Sequence, residues 1–308
     1  MHETQTSPLS YPLGSHERAR ICAERGDPKF WALSMAESPF LRIPPEIRLM
    51  IYEHLLDPGG SEVLNIRNRY LPLLKADGNK RPRRSVYNAL EPTLGRRACD
   101  ATYVLADDCD INTAVLAVNH QIRSEALTLL YAKHSFHFGG DIEAAIHLLG
   151  DLSTTTRSMV QHIGLRKCSP VSFIGGDYPS WAPACSLLRT LPRLRKLSIV
   201  VEGGKPRAPW DGPRELSVSD LRLLYATRHE VLQWVRDLAG LEGLEVLEIS
   251  ADLAPLPPPR TSAMLIFAAF SGSIETTLVE FMRSQLGMPA VAVSGHRSDR
   301  TSPPRLGF

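Results

Sequence analysis

The sequence has almost no excess charge of either sign: 35 lysines and arginines stand against 33 aspartates and glutamates, a net charge of +2 over 308 residues. A protein whose whole surface binds polyanions is therefore excluded, because such binding needs a strong basic field. Aromatic residues make up only 7% of the chain and are not regularly interleaved with basic residues. Stacking on the bases of a single strand is thus not indicated.

Cysteine is scarce and irregularly spaced. The five cysteines form no C-x-x-C pair, so neither a zinc knuckle nor a complete disulfide framework is predicted. His134, His137 and Cys109 lack the ligand count and spacing that zinc requires. No glycine-rich phosphate loop and no G-x-S-x-G elbow occurs. We therefore predict a protein that is not an enzyme, with no catalytic residue, metal or cofactor.

Long hydrophobic runs are also missing. The longest covers residues 263–270 (AMLIFAAF), far short of the ~20 residues that cross a bilayer. The N-terminus, MHETQ, has neither the basic start nor the apolar stretch of a signal peptide. We expect an intracellular protein, cytoplasmic or nuclear, without a membrane partner.

Proline is abundant instead, with 24 residues, about 8% against a usual ~5%. Hydrophobic residues make up 43%, a share typical of globular proteins. At roughly 150 residues per domain, the length predicts two domains or one elongated domain. Residues 1–37 are polar and lack sustained periodicity, and the tail at residues 288–308 is polar and contains proline from residue 294 onward. We expect a disordered lead-in and a disordered tail there.

The first regular pattern predicts a helix that ends at Leu56. Pro45 suits the first helical position, and Glu46 is favoured in the first turn by the helix dipole. Residues 57–60 (DPGG) end the helix. Apolar residues recur at helical spacing and predict one apolar face: Ile43, Ile47, Met50, Ile51 and Leu55.

A second helix is expected to begin at Asn112 or Thr113, either of which can cap it. Its apolar face consists of Val115, Val118, Ile122, Ala126, Leu129 and Leu130. The alternation in residues 134–138 (HSFHF) then predicts a strand. Between the two helices, about residues 61–110, we expect an irregular basic insertion, with short strands at residues 63–66 and 70–74. The two helices and the strand at residues 134–138 define a first domain, residues 38–140.

Residues 141–287 contain a repeated leucine phrase. Residues 191–199 and 241–249 both follow L-x-x-L-x-x-L-x-I, and a weaker echo starts at Val160. Predicted helices precede the phrases, at residues 142–152, 182–191 and 220–238. Helix followed by strand, repeated, predicts parallel strands joined by right-handed crossovers. We expect an irregular leucine-rich αβ repeat, with a further strand at residues 263–270 and a helix at residues 273–286.

Residues 43–56 (IPPEIRLMIYEHLL) resemble the opening helix of F-box and F-box-like domains, most closely the variant common in filamentous fungi. Residues 116–131 (LAVNHQIRSEALTLLY) are similar to the second block of those families, and residues 134–138 to their usual close. The resemblance covers about a third of the chain. Together with the repeat it predicts an α/β fold, with an F-box-like helical domain in front of the leucine-rich αβ repeat.

The resemblance implies a protein-interaction module. In true F-box proteins these helices dock on the adaptor subunit of an SCF-type ubiquitin ligase, and a C-terminal repeat captures a substrate. The predicted partners are therefore that adaptor and an unknown substrate. The partner-binding residues carried over are Pro44, Pro45, Ile47, Met50, Ile51 and Leu55. Exposed strand positions such as Ser198, Val200 and Glu248 are candidates for the second binding face.

Several alternatives stay open. The apolar residues of the first helix would form a domain core, or they would contact the adaptor. The basic run Lys80, Arg81, Arg83 and Arg84 would be a solvated loop, an import signal or a phosphate-binding patch. The protein would then be a ubiquitin-ligase adaptor, a scaffold unrelated to ubiquitin or, as the weakest alternative, a nucleic-acid-associated protein.

Overall fold

The computed structural model describes residues 38–57, 59–60, 62–71, 85–90, 98–106, 111–168, 178–207, 210 and 212–289. The predictions for residues 1–37, for the basic run at residues 80–84 and for the tail beyond Pro289 lie outside the described residues. Within them the helices are α1 (Pro45–Leu55), α2 (His120–Lys133), α3 (Ile142–Asp151), α4 (Thr154–Arg157), α5 (Tyr178–Leu188), α6 (Val218–Ala226), α7 (Gln233–Leu238), α8 (Ser262–Ser273) and α9 (Thr277–Gln285). The 3₁₀ turns are Pro39–Arg42, Thr113–Ala117 and Glu230–Leu232.

The described strands form one seven-stranded sheet in the order β2-β3-β1-β4-β5-β6-β7. They are β1 (Val63–Tyr70), β2 (Tyr87–Leu90), β3 (Ala98–Leu105), β4 (Ser135–His137), β5 (His162–Lys167), β6 (Lys196–Pro206) and β7 (Val246–Leu256). Strand β1 and strands β4 to β7 pair in parallel, whereas β3 pairs antiparallel with β1 and β2. The α/β class and the parallel strands predicted for the repeat are confirmed.

One row of side chains shows how the leucine phrases build the core. The register partners on five neighbouring strands are Leu64, Phe136, Ile163, Leu197 and Leu247. Each is at most 4% exposed, and burying a side chain of this size contributes roughly 1.5–3 kcal/mol. The two L-x-x-L-x-x-L-x-I phrases therefore hold the same position on β6 and β7, as equivalent turns of a repeat should.

The insertion predicted at about residues 61–110 contains three strands among its described residues, so the irregular structure expected there is wrong for those residues. Strand β1 continues through Tyr70, where the sequence suggested two short strands. Its inward positions Leu64 and Ile66 are buried, but Arg67 and Arg69 occupy the outward positions. Charged outward residues disguise a strand in a hydropathy pattern, because only one face of this antiparallel pair has to be apolar.

The strand predicted at residues 263–270 is also wrong, because this run lies inside α8. Thr261 caps the helix, with its Oγ1 accepting from the N–H of Met264 at 3.3 Å. A continuous apolar run cannot distinguish a buried helix from a buried strand. Phe267 and Phe270 are 3% and 1% exposed, and the amide N–H of Gly204 on β6 donates to the Ser271 hydroxyl at 2.9 Å.

Two predicted helices are broken in the structure. The helix expected from residue 112 is the 3₁₀ turn Thr113–Ala117, capped by Asn112, and then α2, capped by Asn119. The helix expected at residues 220–238 is divided into α6, a 3₁₀ turn and α7, with Arg228 at a φ of 57° between them.

The boundary predicted at residue 140 lies inside a continuous sheet. Strand β4 precedes it and β5 follows it, yet the two pair in parallel from Ser135 to His137. The two regions defined from the sequence therefore share backbone hydrogen bonds. The division itself stays a prediction.

Candidate functional site

Helix α1 has two different faces. Arg48, Tyr52 and Leu56 face inward at a spacing of four, and each is at most 5% exposed. On the opposite side Ile47 is 45% and Met50 63% exposed, next to the half-buried Ile51. We call Ile47, Met50 and Ile51 the outward stripe. Residues three and four apart share one side of a helix, so the stripe is a continuous apolar strip.

The prediction of one apolar face is therefore corrected. Core packing, one of the two roles open for these side chains, fails for Ile47 and Met50, because both are largely exposed. Leu55 is half-buried and contacts the core. Pro44 and Pro45 are exposed beside the stripe. Of the predicted partner-binding residues, Pro44, Pro45, Ile47 and Met50 thus lie at the surface.

The inward face of α1 is held by a carboxylate on α2. Glu125 accepts from Arg48 twice, with Nε–Oε2 at 3.0 Å and NH2–Oε1 at 2.6 Å, and from the Tyr52 hydroxyl at 3.0 Å. The guanidinium and the carboxylate meet as two parallel forks, the strongest form of such a pair. Gln121 donates to the same carboxylate at 3.0 Å.

The ionisation of these groups reflects the contact. The hydrogen bonds from Arg48 lower the pKa of Glu125 to about 2, with further contributions from Gln121 and Tyr52. Burial raises the pKa of Tyr52 to about 12, and the neighbouring Glu125 carboxylate raises it as well. At neutral pH the site therefore contains one cation, one anion and a neutral hydroxyl that donates to the anion.

The same arginine also binds the chain that leads into α1. Its NH1 donates to the carbonyl of Ile43 at 2.6 Å and to that of Leu41 at 3.2 Å. The Phe40 ring lies 6.0 Å from the Tyr52 ring. The segment before Pro44 is thus attached to the inward face of the helix that follows it.

A second candidate surface is the sheet face opposite the buried strand residues. We call it the open face, and its residues are His137, His162, Arg166, Lys196, Ser198, Val200, Glu202, Glu248 and Asp252. They alternate along their strands with core residues such as Ile163 and Leu197. When parallel strands follow one another in a single direction, right-handed crossovers place their helices on one side, which leaves the other accessible. The three strand positions named from the sequence, Ser198, Val200 and Glu248, lie here.

Cross-strand ion pairs cover the open face. Arg166 on β5 binds Glu202 on β6, with Nε–Oε1 at 2.9 Å, and also Asp252 on β7. Lys196 Nζ lies 2.7 Å from Glu248 Oε1, and this contact lowers the pKa of Glu248. Three strands are thereby joined through their side chains as well as their backbones.

The His137 side chain on β4 extends over Gly164 of β5 on the open face. A Cβ atom at Gly164 would stand 2.5 Å from the His137 ring, so only glycine allows the two strands this contact. Burial lowers the pKa of His137, and the nearby Lys196 lowers it further. The imidazole is therefore a neutral group in a row of charged ones.

An open pocket of about 410 Å³ lies at the carboxyl end of β4, lined by residues 65–67, Ala106 and residues 137–141. One wall is Asp141, whose carboxylate accepts from the backbone N–H of Asn68 at 3.0 Å and from Asn68 Nδ2 at 3.2 Å. Burial raises the pKa of Asp141. Its carboxylate joins the start of α3 to β1, which is a structural role.

Sequence reasoning missed Arg48, Glu125, Asn68 and Asp141. The spacing of Arg48 indicates that it is buried. Arg48, Tyr52 and Leu56 follow one another at intervals of four, the spacing of residues on one face of a helix. Asn68 continues the period-two series from Leu64 and Ile66. A polar residue at a core period indicates a buried partner, but the pattern does not identify that partner.

Two further findings concern the described residues. No group of three or more histidines, cysteines, aspartates or glutamates among them could hold a metal ion. No single helix there is long and apolar enough to cross a membrane; α8 and α9 meet that test only as a pair, and they are bent by 83°.

Residues 34–228 match the domain of unknown function DUF7730, nearly two thirds of the chain. The chain belongs to the DUF7730 family. The DUF7730 region includes both candidate surfaces up to β6 and ends at Arg228, the residue with positive φ between α6 and the next turn. The turn Glu230–Leu232, α7, β7, α8 and α9 follow it. No curated protein and no solved structure matches the chain.

Proposed function

We propose that this protein is an F-box-like interaction protein that recruits a substrate to an SCF-type ubiquitin ligase and works by binding alone. In this proposal α1 docks on the adaptor subunit through the outward stripe, and the open face receives the substrate. The protein acts inside the cell, in the cytoplasm or the nucleus. The observation that carries the proposal is the exposure of Ile47 and Met50 on a helix whose opposite face is buried.

Three features support docking through α1. An apolar strip at helical spacing is the form in which helices enter grooves on partner proteins. Covering neighbouring exposed apolar side chains with a partner removes their surface from water, which is favourable, so a contiguous exposed apolar strip indicates an interaction site. The resemblance of residues 43–56 and 116–131 to F-box-like blocks of filamentous fungi supports the adaptor as that partner.

Capture of a substrate by the open face has separate support. Singly wound parallel sheets present a broad surface opposite their helices, which repeat proteins use for binding. The ion pairs that join β5, β6 and β7 hold the side chains of this surface in position. A scaffold unrelated to ubiquitin would use the same two surfaces with a different first partner.

The test is capture of the purified adaptor subunit by the full chain. Ile47→Asp and Met50→Asp should each weaken capture roughly 10- to 150-fold, because each side chain would contribute roughly 1.5–3 kcal/mol when buried at an interface. Both variants should fold as the wild type does, since neither side chain is in the core. Thermal unfolding checks this point.

Two controls make the result specific. Leu223 on α6 is 62% exposed, so Leu223→Asp introduces the same change on an apolar surface residue elsewhere. Glu248→Lys changes the open face only. Both should capture the adaptor as the wild type does. A folded wild-type chain that does not bind the adaptor would refute the ligase proposal and favour the scaffold.

A further inference from the structure

We propose that Arg48 is a positioning residue for the outward stripe: its guanidinium fixes α1 and the segment before it in the orientation that a partner recognises. The part of the inference that adaptor affinity measures rests on the proposed function. The part that concerns the position of α1 rests on geometry alone. Arg48 is 5% exposed and lies on the face of α1 opposite the stripe.

The guanidinium makes bonds in two directions at once. Nε and NH2 donate to the Glu125 carboxylate on α2, and NH1 donates to the carbonyls of Leu41 and Ile43 in the preceding segment. Only a planar group with several fixed donors can satisfy all of these acceptors together. A lysine has the charge but presents it as a single point.

These bonds determine where the stripe lies. A helix turns as a rigid body, so holding Arg48 and Tyr52 against Glu125 sets the direction of Ile47 and Met50 on the other side. The bonds to Leu41 and Ile43 hold the chain that enters at Pro44. An element already in its bound orientation loses less conformational freedom on association and binds more tightly.

The two helices also offer an internal comparison. Lys133 Nζ on α2 lies 3.3 Å from Glu53 Oε1 on α1. This pair joins the same helices, but its side chains are 43% and 47% exposed, and exposed pairs contribute little. If α1 is positioned by the buried contact, removing the exposed one should change nothing.

The experiment measures amide hydrogen exchange and adaptor affinity in the full chain. In Arg48→Lys, the described amides of residues 38–55 should exchange at least about tenfold faster than in the wild type. The amides of β5 and β6 should exchange as before. Adaptor affinity should fall about tenfold, and bound adaptor should restore slow exchange in α1. Glu53→Gln, which removes the exposed pair, should match the wild type in every measurement.

A milder variant guards against loss of folding. Glu125→Gln keeps the shape of the acceptor and removes its charge, so the same changes should appear in smaller size. Unchanged exchange in α1 for both variants would overturn the positioning role. Faster exchange throughout β5 and β6 would also overturn it, because Arg48 would then support the whole fold.

The outcomes separate this inference from the proposed function. If the wild-type chain does not bind the adaptor, the proposed function fails, and selective exchange in α1 still supports the positioning role. If the wild type binds and Arg48→Lys binds equally well with α1 exchange unchanged, the positioning role fails and the proposed function stands.

Discussion

Arg48 and Tyr52 occupy core positions that hydropathy assigns to the solvent. They are buried because Glu125, 77 and 73 residues away in the sequence, supplies the hydrogen bonds that a buried cation and hydroxyl require. The large apolar residues Ile47 and Met50 are then left outside. One long-range ion pair thus helps to determine which side of α1 faces outward.

The Glu125 carboxylate should make the protein sensitive to acid. Its pKa falls from 4.5 to about 2 on folding, so the unfolded chain takes up the proton first. Its contribution to stability is complete above pH 4.5 and is lost as the pH falls from about 4.5 to about 2. The urea midpoint of the wild type should therefore fall over this range, as Arg48 loses its charged partner.

The check is the same titration with Glu125→Gln, whose midpoint should fall less over that range because it has no proton to gain. Other carboxylates with lowered pKa, such as Glu248, titrate equally in both proteins and cancel in the difference. Parallel titrations of wild type and variant would contradict the assignment.

The sequence predicts a helix or strand correctly where its hydropathy pattern fits only one kind of element. The leucine phrases lie on β6 and β7 as expected, because period-two burial and a preceding helix both agree with a parallel strand. The sequence predicts two short strands where the single strand β1 lies, because charged outward residues interrupt the alternation of apolar residues. It predicts a strand at residues 263–270, where α8 lies, because a continuous apolar run fits a buried helix as well as a buried strand. A local hydropathy pattern identifies an element only when the residues that the fold buries recur at the same period as the apolar residues of the sequence.

Replacing a helical glycine by alanine should change the stability of the protein in opposite directions in α8 and in α3. A Cβ at Gly272 would lie 2.0 Å from the backbone carbonyl oxygen of Arg214, whereas one at Gly150 in α3 would meet nothing within 4 Å. Gly272→Ala should therefore destabilise the fold by about 1–3 kcal/mol despite the better helix propensity of alanine. Gly150→Ala should stabilise it by roughly 0.5–1 kcal/mol.

Urea unfolding of both variants measures the two free energies against the wild type. If Gly272→Ala also stabilised the protein, helix propensity would dominate and the close approach of α8 to the segment at Arg214 would have no cost. The serines on either side of Gly272 form hydrogen bonds that hold α8 in place. Ser271 Oγ accepts from the amide N–H of Gly204 on β6, and Ser273 Oγ accepts from the amide N–H of Leu216 at 2.7 Å.

At the scale of the molecule, one sheet joins regions that the sequence separates. Strand β1 from the first region pairs with β4, and β4 pairs with β5 from the second. The DUF7730 match stops at Arg228, yet β7 pairs with β6 along eleven register positions beyond it. The unit that buries the core therefore extends past the family match.

A chain that ends at Arg228 should not fold as a stable monomer. It lacks the turn Glu230–Leu232, α7, β7, α8 and α9. The edge of β6 would lose its pairing strand, and buried residues on β6, among them Leu197 and Val201, would lose part of their cover. We expect aggregation or non-cooperative unfolding in size-exclusion chromatography and thermal melts. A control that ends at Pro289 keeps every described element and should melt near the full chain. A monomeric, cooperative chain of 228 residues would contradict the prediction.

The sequence by itself determined the α/β class, the parallel strands of the repeat, and α1 with its proline start, because each rests on spacing between near neighbours. The resemblance of two blocks to F-box-like domains also predicts a binding role, and that role stays a proposal. Only the tertiary structure decided that Ile47 and Met50 face outward, that residues 61–110 contribute three strands, and that Asp141 binds Asn68. Each of these depends on a partner many residues away, and pairing over such distances is set by packing and charge compensation rather than by local pattern.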